Sequence, residues 1–394
     1  MSGSPGGTSR SGPALALFLA AVHVALAVSA SIDRSATADE TDYLGAGRWF
    51  LETGEWRTTA ASFHPPLSYY LNSLLLPALP DRVREIGPDP RTGAVAYDRR
   101  VGEEILYRSG RVPAEILLRA RLPLAAASGL LVLLVWAWAH EWLGRRSAAL
   151  AATIVAFDPN LLAHAGVVAT DSLLAVTYFA GAYAWWRFAR RPTAARLVVF
   201  GLALALAMLS KFPGLLLAPA AGLLLAGRLV LDRGFAFPAR LRAGGRLRRG
   251  PVGLALAASI VAPSAGLLSW AGYLFSTGRI VEAGVPHRTI DRLVPEALGL
   301  RSAAYSLAEA PWPAPAYVGC VQNLIGHSAA GHHAWFLGRT SLFGWRSYFP
   351  VTLAVKQRLA ALALLAAGLL ALGGARELGP GRPEAMLPPA LMLG

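Results

Sequence analysis

The stretch 114–139, AEILLRARLPLAAASGLLVLLVWAWA, decides the fold. A helix rising about 1.5 Å per residue needs roughly 20 apolar residues to cross a bilayer core of about 30 Å. This run exceeds that length. Similar Leu/Ala-rich runs lie at 13–30, 147–164, 171–189, 195–211, 213–231, 252–275 and 350–373, and one more begins at 385–393. The 195–211 run spans the hydrocarbon if Arg196 snorkels at one end and Lys211 sits at the other. The composition agrees: the 394 residues are 55% hydrophobic and 15% charged, with mean hydropathy +0.45. A soluble domain carries about a quarter charged residues. The expectation is an all-α polytopic membrane protein with about eight to nine transmembrane helices.

The net charge is +14, and Lys211 and Lys356 are the only lysines, so the basic residues are almost all arginine. These arginines sit in short loops between apolar runs, which fits positive-inside topology and anionic headgroups and leaves no nucleic-acid motif. Arg145-Arg146, then Arg187 with Arg190-Arg191, then the 233–249 block form one basic set. Placing that set in the cytoplasm puts 31–112, 157–171, 210–213 and 276–347 on the extracytoplasmic side. The chain therefore divides into a disordered tail (1–12), a transmembrane domain (13–380) with two large outer loops (31–112 and 276–347), and a further helix starting, truncated, in 381–394. Val28-Ser29-Ala30 offers a rival reading of the first run as a cleaved signal peptide; the many later spans favour a retained helix. Cys320 is the only cysteine, which rules out an intrachain disulfide and a cysteine zinc site. No repeat of 20–50 residues is evident.

The polar groups that carry chemistry fall at one set of helix ends. Asp39-Glu40 follows the first run and has two readings: acids in the first turn of a short helix, or a base with its support at the membrane surface. His64-Pro65-Pro66 fixes a rigid approach to a helix from Leu67, and holds an imidazole either for a phosphate or simply against the protein. Asp158-Pro159-Asn160 is a turn, while Asp171 is either a helix cap or a site carboxylate. Lys211, in a tight link between two apolar helices, is either a point charge for phosphate or an interfacial snorkel. His327, His332 and His333 lie near Trp335, Trp345 and Tyr348, an interfacial aromatic group. Without a nearby carboxylate, the histidines are a weak signal for a divalent metal.

Taken in order, these elements resemble the class C membrane glycosyltransferases, in the branch of protein O-mannosyltransferases and bacterial aminoarabinose transferases. The likeness rests on Asp39-Glu40, HPPLSYYLNSLLL (64–76), DPNLLAHAGVVATDSLLA (158–175), LSKFPGLLLAP (209–219), HHAWFLG (332–338) and GWRSYFPVTLAVK (344–356). It implies the class C fold, and transfer of a sugar, with inversion, from a polyprenyl-phosphate donor to a protein, lipid or glycan hydroxyl outside the cell membrane. By this resemblance Asp39 is the general base, Glu40 supports it, and Asp171 is a second acidic site residue. His64, Lys211 and Lys356 bind the donor phosphate, and His332, His333, Trp335, Trp345 and Tyr348 belong to a substrate-binding loop. Arg339 stands where relatives often carry an acid, which implies a different sugar. A lipid or solute transporter is the rival class, as is an inactive scaffold of the same fold. Transporters place their charges near the midplane, whereas the runs here are mostly clean.

Overall fold

The structure is a computed structural model, and its described residues are 11–56, 58, 63–84, 98–231, 251–281, 290–291, 294–296 and 299–374. Residues 1–10 of the expected tail, the basic 233–249 block and the expected 381–394 helix lie outside them. Sixteen helices frame the description: α1 (Ser11–Ser29), α2 (Ala38–Leu44), α3 (Ala46–Thr53), α4 (Leu67–Ser73), α5 (Asp98–Tyr107), α6 (Pro113–Leu143), α7 (Arg145–Ala156), α8 (Pro159–Ala165), α9 (Asp171–Arg190), α10 (Ala194–Ser210), α11 (Leu217–Leu231), α12 (Pro251–Gly272), α13 (Leu300–Glu309), α14 (Pro315–Ala330), α15 (Tyr348–Lys356) and α16 (Leu359–Gly374). A one-turn helix at Asp81–Arg84 and a 3₁₀ turn at Phe212–Leu216 supplement them. Two antiparallel strand pairs are also described: β1 (Thr277–Arg279) with β2 (Pro311–Pro313), across α13, and the hairpin of β3 (Ala334–Phe336) with β4 (Arg339–Ser341).

The class is that of a helical membrane protein. Among the described residues, Gly12–Ser29, Pro113–Leu143 and Ala255–Gly272 are long and apolar enough to cross a membrane, and the number rises to 5 if each of two bent helix pairs is one span. Two of the expected spans are broken. The 147–164 run bends by 55° between α7 and α8. Pro159 opens α8, and the Asp158 carboxylate caps it by accepting from the Asn160 and Leu161 amides at 3.0 and 3.1 Å. The 350–373 run turns by 116° between α15 and α16. There Arg358 is drawn aside to the Asp158 carboxylate at 2.9 Å and the Ile154 carbonyl at 3.0 Å.

The bundle has two apolar cores. One joins α1, α6 and α7 through Leu19, Val132, Trp136 and Ala152; the other joins α9, α10, α11 and α12 through Trp185, Phe188, Leu204 and Leu217. The first loop is not a polar excursion. Its helices α2 to α5 build a third core of Leu44, Phe50, Tyr69, Val101 and Ile105 on the N-terminal part of α6, at Ile116 and Leu117. Each such side chain contributes about 1.5–3 kcal/mol by leaving water, so this cap is a rigid part of the fold. Its helices touch closely: a Cβ added at Gly102 of α5 would overlap the Thr41 carbonyl of α2. Asp42 and Arg99 clamp the same pair of helices with two hydrogen bonds, at 2.9 and 3.0 Å.

Candidate active site

Adjacent residues of α2 face opposite ways, with opposite consequences. Glu40 is 0% exposed and accepts from Arg121 Nε at 2.8 Å and Nη2 at 2.7 Å. It also accepts from the Thr37 amide at 2.9 Å and the Val168 amide at 2.8 Å. The remaining Arg121 protons go to the Ser31, Arg34 and Ser35 carbonyls at 2.8, 3.0 and 3.1 Å, so all five guanidinium donors are used. Burial alone would raise the Glu40 carboxyl; the Arg121 hydrogen bonds and the two amides outweigh it and hold it below 4.5. Glu40 thus ties the end of α1, the start of α2, the body of α6 and the 166–170 turn into one joint.

Asp39, by contrast, is exposed and makes no hydrogen bond among the described residues. Its side of α2 also carries Tyr43, whose hydroxyl is pushed up to about 12, first by burial and then by the charges of Asp39, Asp171 and Asp42. The Tyr43 ring meets His64 edge-on, with centroids 5.8 Å apart. His64 is half-buried just before α4, and its Nδ1 is buried without a hydrogen-bond partner among the described residues. Burial, then the nearby Lys211 ammonium, lowers its pKa to about 4 against the pull of Asp171. The imidazole is therefore neutral near pH 7, and donates through one nitrogen only.

Lys211 stands at the C-terminal end of α10 in extended backbone, and its ammonium donates to Asp171, the first residue of α9, at 2.7 Å. Behind this pair, Thr177 donates to Ser210 at 3.1 Å and locks α9 to α10. Asp39 and Tyr43 from α2, His64 before α4, Asp171 at the head of α9 and Lys211 at the end of α10 thus form one electrostatic cluster. The cluster brings together a carboxylate with no hydrogen bond among the described residues, an ion-paired ammonium and a neutral imidazole.

The other expected site residues lie in the second loop. Phe336 is buried against Trp345 and Tyr348, at centroid distances of 5.4 and 5.3 Å, whereas Trp335 on the same strand points outward. His332 and His333 are exposed at the foot of the hairpin. The His332 ring lies tilted at 5.5 Å from His327, which meets Phe63 edge-on at 6.4 Å, so a row of rings leads toward His64. The Lys356 carbonyl accepts from Asn160 at 3.2 Å while its side chain is exposed, and no contact among the described residues joins it to Lys211. No group of three His, Cys, Asp or Glu side chains among the described residues is arranged to hold a metal.

Three residues with structural weight were not singled out from sequence: Tyr43, Arg121 and Arg358. Arg121 carried a signal, being an arginine inside the apolar 114–139 run, where an unpaired charge is costly. Tyr43 had none, since an aromatic residue at helical spacing is ordinary core. No curated protein matches the chain. Residues 115–236, which run from α6 past α11 and carry Arg121, Asp171 and Lys211, match the family model of the dolichyl-phosphate-mannose-protein mannosyltransferases, and this stretch has the sequence pattern of that family of membrane glycosyltransferases.

Proposed function

We propose that the protein is an inverting glycosyltransferase. It takes a sugar from a polyprenyl-phosphate donor and delivers it to an acceptor hydroxyl on the extracytoplasmic side of the cell membrane. The observation that carries this reading is the pairing, in one cluster, of Asp39, an exposed carboxylate with no hydrogen bond among the described residues, with the Lys211 ammonium and the neutral His64 imidazole. Asp39 removes the proton of the acceptor hydroxyl as its oxygen attacks the anomeric carbon. The bond from that carbon to the phosphate oxygen breaks, and polyprenyl phosphate leaves with its added charge stabilised by Lys211 and the His64 N–H. Phosphate is already a good leaving group, so the protein need supply only a base and fixed positive charge.

Asp171 keeps the ammonium in place before donor arrives. The Asp171–Lys211 pair is 48% and 26% exposed at its two side chains, and pairs of that kind contribute about 0.2–1 kcal/mol. A donor phosphate can therefore take over Lys211 at little cost. Glu40, locked on Arg121, acts as a positioning residue that fixes the pitch of α2 and so the place of Asp39. The loop residues His332, His333, Trp345 and Tyr348 belong to this reading as the second wall of the substrate cleft. The acceptor is a protein, lipid or glycan hydroxyl.

The test is incubation of the purified full chain in nanodiscs with a panel of labelled polyprenyl-phosphate sugars, followed by identification of the labelled acceptor. Transfer by the wild type and its loss in Asp39→Asn support the reading. Failure of every donor in the panel, with the protein folded, overturns it.

A further inference from the structure

The β3–β4 hairpin carries its apolar side chains on the wrong side for a soluble loop. Trp335 is 69% exposed, Leu337 at the tip 70% and Phe343 just beyond the hairpin 76%, with Phe349 exposed next to them on α15. The tip is a two-residue turn, Leu337-Gly338, with φ of 50° and 79°. Asn or Asp is the usual first residue of such a turn, and Leu in that backbone region costs roughly 1–2 kcal/mol. The leucine is not there for the backbone's sake. Arg339 and Arg346 are exposed on the same segment, and Lys356 is exposed at the far end of α15.

The fold fixes the height of this surface. The Lys356 end of α15 is pinned to the α7–α8 break by Asn160, and the adjoining Arg358 by Asp158. From there α16, Leu359–Gly374, leaves as a wholly apolar helix. The turn between α15 and α16 is 116°, so with α16 along the bilayer normal α15 slopes about 26° (116° − 90°) off the membrane plane, its Tyr348 end the deeper. With α16 running into the bilayer, the chain climbs away from it from Tyr348 to Lys356. The rise along α15, projected on that axis, places Tyr348 about 5 Å closer to the hydrocarbon than Lys356. Tyr348 in turn holds Phe336 of β3 at 5.3 Å, which sets the hairpin at that lower level.

We infer that the β3–β4 hairpin is a membrane anchor, with Trp335, Leu337 and Phe343 dipping below the headgroups of the leaflet that α16 enters and Arg339, Arg346 and Lys356 pairing with anionic lipid. Tryptophan at the headgroup level and cationic side chains above it are the chemistry of that boundary. The hairpin then separates two duties along one strand: Phe336 faces the protein and Trp335 faces lipid. This inference rests on the membrane fold and not on the sugar-transfer reading.

The experiment attaches a nitroxide label at Leu337→Cys, and separately at Phe343→Cys, in the full chain. Cys320 is buried and its thiol is pushed up to about 12, so it does not compete for label. The proteins are placed in nanodiscs of phosphatidylethanolamine with phosphatidylglycerol, and relaxation by dissolved oxygen is compared with relaxation by a water-soluble nickel chelate. Arg108→Cys, at a site 71% exposed, is the aqueous control. The expected result is an oxygen-to-chelate ratio at 337 and 343 at least fivefold above the control, and a smaller ratio in nanodiscs of phosphatidylcholine alone. Ratios equal to the control overturn the anchor. Labels closed to both reagents also overturn it, since a protein segment or partner then covers the hairpin. A ratio indifferent to phosphatidylglycerol removes the anionic pairing.

Discussion

Arg121→Met tests whether the geometry of the site depends on the buried joint beneath it. The substitution keeps an unbranched apolar stem, shorter by the end of the guanidinium, and removes five donors at once. It strands the Glu40 carboxylate, which is 0% exposed, and leaves the Ser31, Arg34 and Ser35 carbonyls without their guanidinium partner. Removing one member of a buried ion pair costs about 3–5 kcal/mol. The Glu40 charge keeps only the Thr37 and Val168 amides, so the upper part of that range applies. If the loss is felt as local release of α2 from α6, amide exchange over 38–44 should accelerate about a thousandfold, at about tenfold per 1.4 kcal/mol. Exchange in the α9–α10 core should stay as it was. The double substitution Glu40→Leu with Arg121→Met should recover only part of the loss, because five backbone groups relied on the pair. Hydrogen exchange read by mass spectrometry on nanodisc samples measures both. Unchanged protection over 38–44 in Arg121→Met would refute the idea that this pair holds Asp39 in place.

Three shorter predictions follow from the site. Asp39→Asn should lower sugar transfer by about 10²–10⁴-fold, the usual worth of a general base, with amide exchange unchanged; wild-type turnover removes Asp39 from the chemistry. Lys211→Ala should raise the apparent KM for the lipid donor more than it lowers kcat, and an unchanged KM means the ammonium is only an interfacial snorkel. His64 has a folded pKa of about 4 against an ordinary 6.5, so between those values the unfolded chain binds a proton that the folded chain refuses. Its contribution is intact above pH 6.5 and is lost as the pH falls from there toward 4. His64→Phe should therefore flatten the pH dependence of Tm in that window, and the same slope in variant and wild type counts against the buried neutral imidazole.

The helical membrane class was legible because hydrocarbon imposes its own length and composition on the chain. The helix ends at Asp171 and Lys211 were legible too, since caps and tight links have local chemistry. What escaped is what depends on a partner far along the chain. The 147–164 run has enough apolar residues for a span, yet Asp158 and Pro159 break it, because a capped proline start outweighs a hydropathy average. The 31–112 loop contains an aromatic core of its own, which its balanced charge concealed. Residue type and spacing did not tell Asp39 from Glu40, and only the family resemblance gave them different parts, base and support. Only the fold, by presenting Arg121 to one of them, separates a buried strut from an exposed carboxylate.

The break at Asp158 also sets a schedule. Its carboxylate can cap α8 as soon as Leu161 has been made, but its ion-pair partner, Arg358, lies 200 residues further on. At synthesis rates of about 5–20 residues per second, that interval is roughly 10–40 s. Throughout it, the Ile154 carbonyl at the end of α7 waits for the guanidinium that will satisfy it. The first helices can thus be inserted and packed while the corner between α7 and α8 is still open. Arrival of the last hairpin and helix is what closes it, so a ribosome stalled before Arg358 should release a bundle whose corner is recognisably unfinished to a quality-control protease.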